Sequence, residues 1–296
     1  MYDTLESMGR KKASATKVKS VVSNMKLMAA SSILQFERAV FNSDCYCKNI
    51  ELGLVSCLKK MRPHIAHSEI MDRKVVAIIL GTDVGLVGPF NEHLAQQAKE
   101  KLIQKNENKL VIAVGERMSA CLQNAQVPIT KKFACPLSIE AIAPFVIKVL
   151  SEIEEYFSDS QVIELVVFHH RSSSTKEYEP VITKILPFTE AWEERLALTR
   201  WPTHQIPELI EQPEKAFLFL LKEYVFILLA RACAESINCE NLSRFFCMQR
   251  AEKNIDEFIF TLQQDFHLLR QNSIDAELFD VQAGFSSVMN EFTINR

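Results

Sequence analysis

Glycine is scarce in this chain: seven residues in 296, well under a usual share of about 7%. Glycine inside a helix costs about 1 kcal/mol relative to alanine, so its scarcity favours long helices. Proline is missing from two long stretches. Leu5–Leu58 has none, with only Gly9 and Gly53 inside it, and after Pro213 there is no further proline and Gly284 is the only glycine. There is also no Cys-x-x-Cys pair among Cys45, Cys47, Cys57, Cys121, Cys135, Cys233, Cys239 and Cys247. The opening Met1-Tyr2-Asp3-Thr4-Leu5-Glu6 has no basic region followed by an apolar run, so no signal peptide is expected. The thiols are accordingly expected to be reduced and packed as small apolar groups. The most apolar run, Phe217–Ala230, is broken by Lys222-Glu223 and is too short to span a bilayer. Charge of either sign is not in excess: a net −3 and a pI near 6.2 give no general reason to expect nucleic acid.

Hydrophobic residues make up 48% of the chain, enough for one large or two ordinary domains. The proline-free N-terminal stretch reads as one helix of some 50 residues, about 75 Å long. The C-terminal stretch reads as another of some 75–80 residues, about 110–120 Å. Helices of such length need a partner along their length. Each carries an apolar seam at heptad steps of four and three. The first is Val18, Val22, Met25, Ala29, Ser32, Phe36 and Ala39; the last is Ile274, Leu278, Val281, Phe285, Val288 and Phe292. Seams at opposite ends of one chain predict an antiparallel coiled coil. Within the C-terminal helix a further seam, Ile255, Ile259, Leu262, Phe266 and Leu269, is followed after five residues rather than four by Ile274. The stripe slips at Arg270-Gln271-Asn272-Ser273. Spacing alone allows local relief of winding strain or a place where something outside the coil grips it.

The middle of the chain changes period. Lys74–Leu80, Lys109–Val114 and Val162–Phe168 are β-branched runs with the pattern of buried strands, and helical stretches lie near Asn91–Gln104 and Ser138–Phe157. Strands alternating with helices predict a small α/β domain with a mainly parallel sheet. Arg171-Ser172-Ser173-Ser174-Thr175-Lys176 reads as a loop or hairpin turn. Thr199–Pro213, with three prolines, reads as the link out of the domain. The expected segments are 1–65, 66–205 and 206–296.

Candidate chemistry is thin. Gly81-Thr82-Asp83-Val84-Gly85-Leu86-Val87-Gly88 follows a strand and precedes a helix, the place of a dinucleotide loop, with Glu116 after the second strand as a candidate ribose ligand. Its glycines are spaced G-x-x-x-G-x-x-G rather than G-x-G-x-x-G, which favours a tight turn that packs helix on sheet. His64 with His67, and His169 with His170, lack further ligands at fixed spacing. No hydrolase, metalloprotease or phosphate-loop signature occurs. No catalytic residue, cofactor or metal is expected. Arg10, Lys11, Lys12, Lys17, Lys19 and Lys26 read either as a solvated face or as a basic collar facing an acidic partner.

Three segments carry a family resemblance. Met25-Lys26-Leu27-Met28-Ala29-Ala30-Ser31 is similar to the Met-x-Met-Val-Ala-Ala-Ser segment of F-type ATP synthase gamma subunits. Thr82–Asn91 resembles their Thr-Asp-Arg-Gly-Leu-Cys-Gly-Gly-Leu-Asn, and Arg270–Leu278 their Arg-Gln-Ala-x-Ile-Thr-x-Glu-Leu. Glu240, Arg244, Met248 and Asn254 also match, and other phrases (Met28–Ile33, Glu51–Leu54, Gln249–Ile255) look nearest to the divergent N-type branch.

The resemblance implies a fold: a long antiparallel coiled coil of the two terminal helices with a central Rossmann-like α/β domain. It also implies a function, the rotor that couples ion flow through the c ring to the catalytic beta subunits, on the cytoplasmic face of the bacterial inner membrane. Implied partners are the alpha and beta subunits, the epsilon subunit and the c ring. Implied site residues are a beta-subunit catch at Arg270, Gln271, Asp275 and Glu277, with Asp275 where the family usually has Thr. Met25 and Lys26 would face the beta lever, and Tyr224 and Glu235 would lie in the foot near the c ring. The domain's turn is marked by Thr82, Asp83, Gly85, Gly88 and Asn91. Two other readings stay open: a nucleotide-binding α/β enzyme with helical arms, and a coiled-coil scaffold outside energy coupling.

Overall fold

The computed structural model describes residues 4–60, 74–103, 109–156, 163–173, 177–188, 190–199, 201–203, 208–209 and 212–294. In chain order the elements are α1 (Leu5–Lys60), β1 (Lys74–Leu80), α2 (Phe90–Ile103), β2 (Lys109–Val114), α3 (Glu116–Asn124) and β3 (Lys131–Phe133). They continue with α4 (Ile139–Tyr156), β4 (Ile163–Arg171), β5 (Glu179–Leu186), α5 (Glu190–Leu198) and α6 (Pro213–Ile294). The expected boundaries at 65 and 205 and part of the proline-rich link fall outside the described residues. The chain divides into two compact units. One unit joins the chain up to Met28 with the chain from Phe245 on, and the other is Ala29–Arg244. Each long helix is shared between the two.

In the unit Ala29–Arg244 the strands order as β3-β2-β1-β4-β5. β1 pairs in parallel with β2 and β4, and β2 with β3, while β5 pairs antiparallel with β4. β4 ends at Arg171, paired with Glu179 of β5, and residues 174–176 of the polar stretch lie outside the described residues. The return strand β5, α3, β3 and α5 were not expected from the sequence. β3 is three residues long and mostly exposed, so it carries no buried-strand signal.

β1, β2 and β4 are buried on both faces, as β-branched runs in a covered parallel sheet require. The period of two sorts them. Val76, Ile78, Leu80, Leu110, Ile112, Val114, Leu165 and Val167 join one core, and Ala77, Ile79, Val111, Ala113, Val166 and Phe168 the other. α2 and α3 cover the second face through Leu94, Ala98, Leu102, Met118 and Leu122. The first face takes α4 through Ile142, Val146, Val149 and Ile153, at helical spacing. The lower lengths of α1 and α6 lie in that same core, through Phe36, Ile50, Leu54, Cys57, Ile227, Cys233 and Ile237. The long helices are therefore built into the α/β body rather than attached at its edge. Cys47, Cys57, Cys233 and Cys239 are buried as apolar residues, while Cys45 is exposed. Burial raises the thiol pKa of Cys233 and Cys239 to about 12.

Candidate interaction surface of the helix pair

In the other unit α1 begins at Thr4, whose hydroxyl accepts from the Ser7 N–H at 3.3 Å and so caps the helix. Burial then recurs every seven residues at Met8, Ala15 and Val22, with Lys19, Met25 and Lys26 half-buried beside them. On α6 the half-buried or buried set is Met248, Ile255, Ile259, Leu262, Phe266 and Leu269. Lys26 is ion-paired with Glu252, and Lys19 with Asp256 at 2.6 Å. Numbers rise on one helix as they fall on the other, so the pair runs antiparallel. The hydrogen bond from Lys26 holds the Glu252 carboxyl below its usual range, and that to Asp256 holds Lys19 above its own.

This register corrects the expected seams. Val18 is 53% exposed, because Lys19 and Lys26, seven apart, take the flank that faces the acids of α6. Long lysine stems can cover apolar surface while their ammonium groups reach a carboxylate. Two of the six cations of that run, read as a solvated face or a collar, therefore turn toward the chain's own acids. Glu252 and Asp256 were missed by sequence reading. An antiparallel register drawn from the inner seam would have found them.

The inner seam of α6 is the one that faces α1, and it ends at Leu269. Continued at heptad steps it would fall on Ser273, Ala276, Asp280 and Ala283, which offer little to bury. The apolar side chains instead move on by one residue, about 100° around a helix of 3.6 residues per turn, to Ile274, Leu278 and Val281. Every described side chain from Arg270 to Gly284 is exposed. Ile274 is 47%, Leu278 62%, Phe279 70% and Val281 72% exposed. The last expected seam therefore has no partner among the described residues, and its members Phe285, Val288 and Phe292 have side chains outside them. Arg270, Gln271, Asp275 and Glu277 all lie on this exposed stretch; the helix itself runs on to Ile294, about 37 Å from Arg270.

The turn Gly81–Asn91 is closed by its own side chains. Asp83 accepts from the N–H of Glu116 at 2.8 Å and of Cys135 at 2.9 Å, so one carboxylate starts α3 and fastens the chain after β3. Asn91 accepts from the Thr82 N–H at 3.1 Å and donates to its hydroxyl at 2.9 Å. Gly88 has φ 59. A Cβ on Gly81 would lie 2.3 Å from that of Met118, so the end of β1, where a dinucleotide would approach, is filled. Thr82, Asp83 and Asn91 form a clamp, and Gly85 and Gly88 lie on the turn that it closes. Glu116 enters it through its backbone N–H. Asp83→Ala is expected to cost about 2–4 kcal/mol, from two backbone donors left without their acceptor, read as a lower denaturation midpoint that added nucleotide does not restore.

Tyr224 and Glu235 are 4% and 7% exposed, buried against their own chain. The Tyr224 hydroxyl donates to Glu51 at 2.8 Å and accepts from the Trp192 N–H at 3.3 Å. Glu235 lies between Arg171, Arg231 and His169. As they stand, neither side chain faces an outside surface. Next to Glu235, burial and then the charges of Arg171 and Arg231 lower the His169 pKa to about 4. Burial lowers that of His170 to about 3. The His170 ring stacks on Phe90 with centroids 3.8 Å apart, and neither of its nitrogens has a hydrogen-bond partner among the described residues.

Both histidines are thus neutral when folded and take up protons when unfolded below pH 6.5. Stability they contribute is full above that pH and falls as pH drops toward 4. His170→Phe is expected to keep the melting temperature at pH 7.5 and to flatten its fall between pH 6.5 and 4, followed by calorimetry. His64 and His67 lie outside the described residues, among which no group of three or more His, Cys, Asp or Glu is placed to hold a metal ion. No helix among those residues is long and apolar enough to cross a membrane.

A family model described as ATP synthase matches residues 4–288. The chain belongs to the ATP synthase gamma family. Gamma-chain relatives include that of Polynucleobacter necessarius, 26% identical over 95% of this chain and 100% of the relative. That of Syntrophus aciditrophicus is 24% identical over 95% and 97%. Among solved structures, a chain of the Euglena gracilis mitochondrial ATP synthase rotor superposes with a TM-score of 0.59. It has 14% identity and covers 91% of this chain and 98% of that one. A chain of the Tetrahymena thermophila central stalk and c-ring structure gives 0.55, with 16% identity over 78% and 99%. These likenesses agree with the gamma fold of two long terminal helices and a central mixed sheet. The catch, lever and foot segments of the gamma resemblance sit respectively on the exposed end of α6, on the half-buried flank of α1, and inside the α/β unit.

Proposed function

We infer that this chain is the rotating shaft of an F-type ATP synthase and has no catalytic site of its own. The observation that carries this is the end of α6 beyond Leu269. A run of large apolar side chains exposed along one helix marks an interaction surface, and this apolar stripe turns away from α1 where the pairing stops. The proposed partners of that end are the alpha and beta subunits, with Arg270, Gln271, Asp275 and Glu277 as the catch on a beta loop. Asp275, when ionised, only accepts hydrogen bonds, so a donor on beta would meet it. Met25 meets the beta lever. Lys26 serves there through its pair with Glu252, which sets the angle of both helices at that level.

The α/β unit is the proposed foot, with the epsilon subunit and the c ring as its partners. Tyr224 and Glu235 act within it by holding α6 to the body. The chain then lies peripherally on the cytoplasmic face of a bacterial inner membrane, held there only through the complex. The phrases Met28–Ile33, Glu51–Leu54 and Gln249–Ile255 support placing it in the divergent N-type branch. Synthesis and hydrolysis follow from differential contact. A shaft whose faces differ favours a different state in each beta subunit at each angle, and ligand affinities follow those states. Co-expression with the alpha and beta subunits from the same source tests this. The expected product is a stable complex with magnesium-dependent ATPase activity that contains the chain. A chain that purifies only as a homodimer would contradict it.

A further inference from the structure

We propose that Glu235 is the pin that fixes the angle of the α/β body on the lengths of α1 and α6 packed against it, and that ion–ATP coupling depends on this pin. The proposal rests on the rotor reading. Torque delivered to the body must pass into the two helices across the face they share with the sheet. That face is mostly apolar: Leu54, Cys57, Ile227, Cys233 and Ile237 lie in one core with Val76, Leu80 and Val114. Apolar burial is non-directional. It grips strongly but does not by itself distinguish one angular setting from a neighbouring one.

Directional contacts do distinguish them. Ser236 Oγ of α6 donates to the Leu80 carbonyl of β1 at 3.3 Å and Ser243 Oγ to the Val87 carbonyl at 2.7 Å, and the buried ionic contacts converge on Glu235. Its carboxylate accepts from Arg171 Nε of β4 at 3.4 Å. Its other oxygen lies 3.1 Å from Arg231 of α6. Arg231 in turn lies 2.7 Å from Asp44 of α1, an ion pair whose angle is not that of a hydrogen bond. The run Asp44–Arg231–Glu235–Arg171 therefore links α1, α6 and the central sheet through one carboxylate. His169 fixes the sheet end. Its Nδ1–H donates to the His170 carbonyl at 3.1 Å and lies 3.5 Å from Glu235, while Nε2 accepts from the Thr183 hydroxyl of β5 at 2.9 Å.

Glu235 differs from the other ionic link across this face, Arg195 to Glu51 at 2.8 Å. There the arginine and carboxylate side chains are 61% and 21% exposed, against 44% and 8% for Arg171 and Glu235, so the pair at Glu235 is the less screened of the two. Of the two guanidinium contacts of this carboxylate, the one with Arg171 has the direction of a hydrogen bond and crosses from α6 to the sheet. Glu235 is a positioning residue: it touches no reacting group and acts by keeping the body in register with the shaft.

The test uses the whole complex in liposomes, with ATP hydrolysis and ion uptake measured together by a pH-sensitive dye and by sodium uptake. Glu235→Gln keeps the shape and removes the charge. The expected result is an assembled complex that retains most of its ATPase activity while the ions moved per ATP fall several-fold. Glu235→Asp should recover part of that ratio. Val146→Ala, a cavity in the same core away from the pin, lowers stability without touching the link and should leave the ratio unchanged. A Glu235→Gln complex with the wild-type ratio would overturn the pin, as would an equal loss in Val146→Ala. Failure of the wild-type chain to form any ATPase complex would overturn the rotor reading and the pin with it.

Discussion

A chain with Leu278, Phe279 and Val281 all replaced by Gln is expected to melt like the wild type and to be lost from the ATPase complex. The three side chains are 62%, 70% and 72% exposed, so in the isolated chain they stabilise little, and surface substitutions of this kind shift stability by at most about 0.5 kcal/mol. Gln is a good helix former, so the helix itself is kept. In the proposed complex the same side chains enter a partner's apolar surface. Burying a large apolar side chain is worth about 1.5–3 kcal/mol. Three together amount to about 5 kcal/mol or more, a factor of some thousands in affinity. Thermal melting by circular dichroism and capture through a tagged beta subunit give the two readings. Undiminished capture would mean that this end of α6 is not the gripped surface.

Gly115→Val is expected to be the most damaging single change in the α/β unit. Gly115 adopts φ +101, a conformation that side-chain-bearing residues rarely take, and a Cβ there would lie 2.6 Å from the Thr82 carbonyl oxygen and 2.8 Å from its nitrogen. The obstacle is backbone, so no side chain can move aside. The strained φ costs on the order of 1–3 kcal/mol. Displacing Thr82 also disturbs Asp83 and Asn91, whose bonds start α3 and hold the turn. A total above about 4 kcal/mol removes much of a domain's usual margin of 5–15 kcal/mol, and the variant should be recovered largely insoluble. Gly9→Ala is the matching control. A Cβ there meets nothing within 4 Å on the exposed flank of α1, so that change should be neutral or stabilising. Soluble Gly115→Val with an unchanged denaturation midpoint would show that the clamp is not rigid.

The long helices were legible because they rest on composition and period. Scarce glycine, absent proline and heptad seams all point the same way, and β1, β2 and β4 announce themselves as unbroken β-branched runs. The register of the helices was harder to read. Val18 has the right residue type and spacing for a seam, yet it is exposed, because Lys19 and Lys26 find acids on α6 that only the paired geometry brings opposite them. The apolar stripe from Ile274 looked like half of a coiled coil. It is the stripe that α1 does not cover, since the order of seams along α6 does not say where the partner helix begins.

Glu235 shows the limit most clearly. A carboxylate on a long helix reads as solvent-facing, and its burial depends on Arg171, which lies 64 positions away in sequence on β4. The slip at Arg270–Ser273 was visible as a break in spacing. The structure adds that pairing stops at the same place.

The central claim is that this chain turns inside a catalytic head. It is tested most directly by watching it do so. The head is fixed to a surface through its beta subunits, a visible probe is attached at the exposed Cys45, and ATP is supplied. The account predicts stepwise rotation of the probe in one direction, at a rate that follows ATP turnover. A probe that stays fixed relative to the head while ATP is hydrolysed at the normal rate would contradict it.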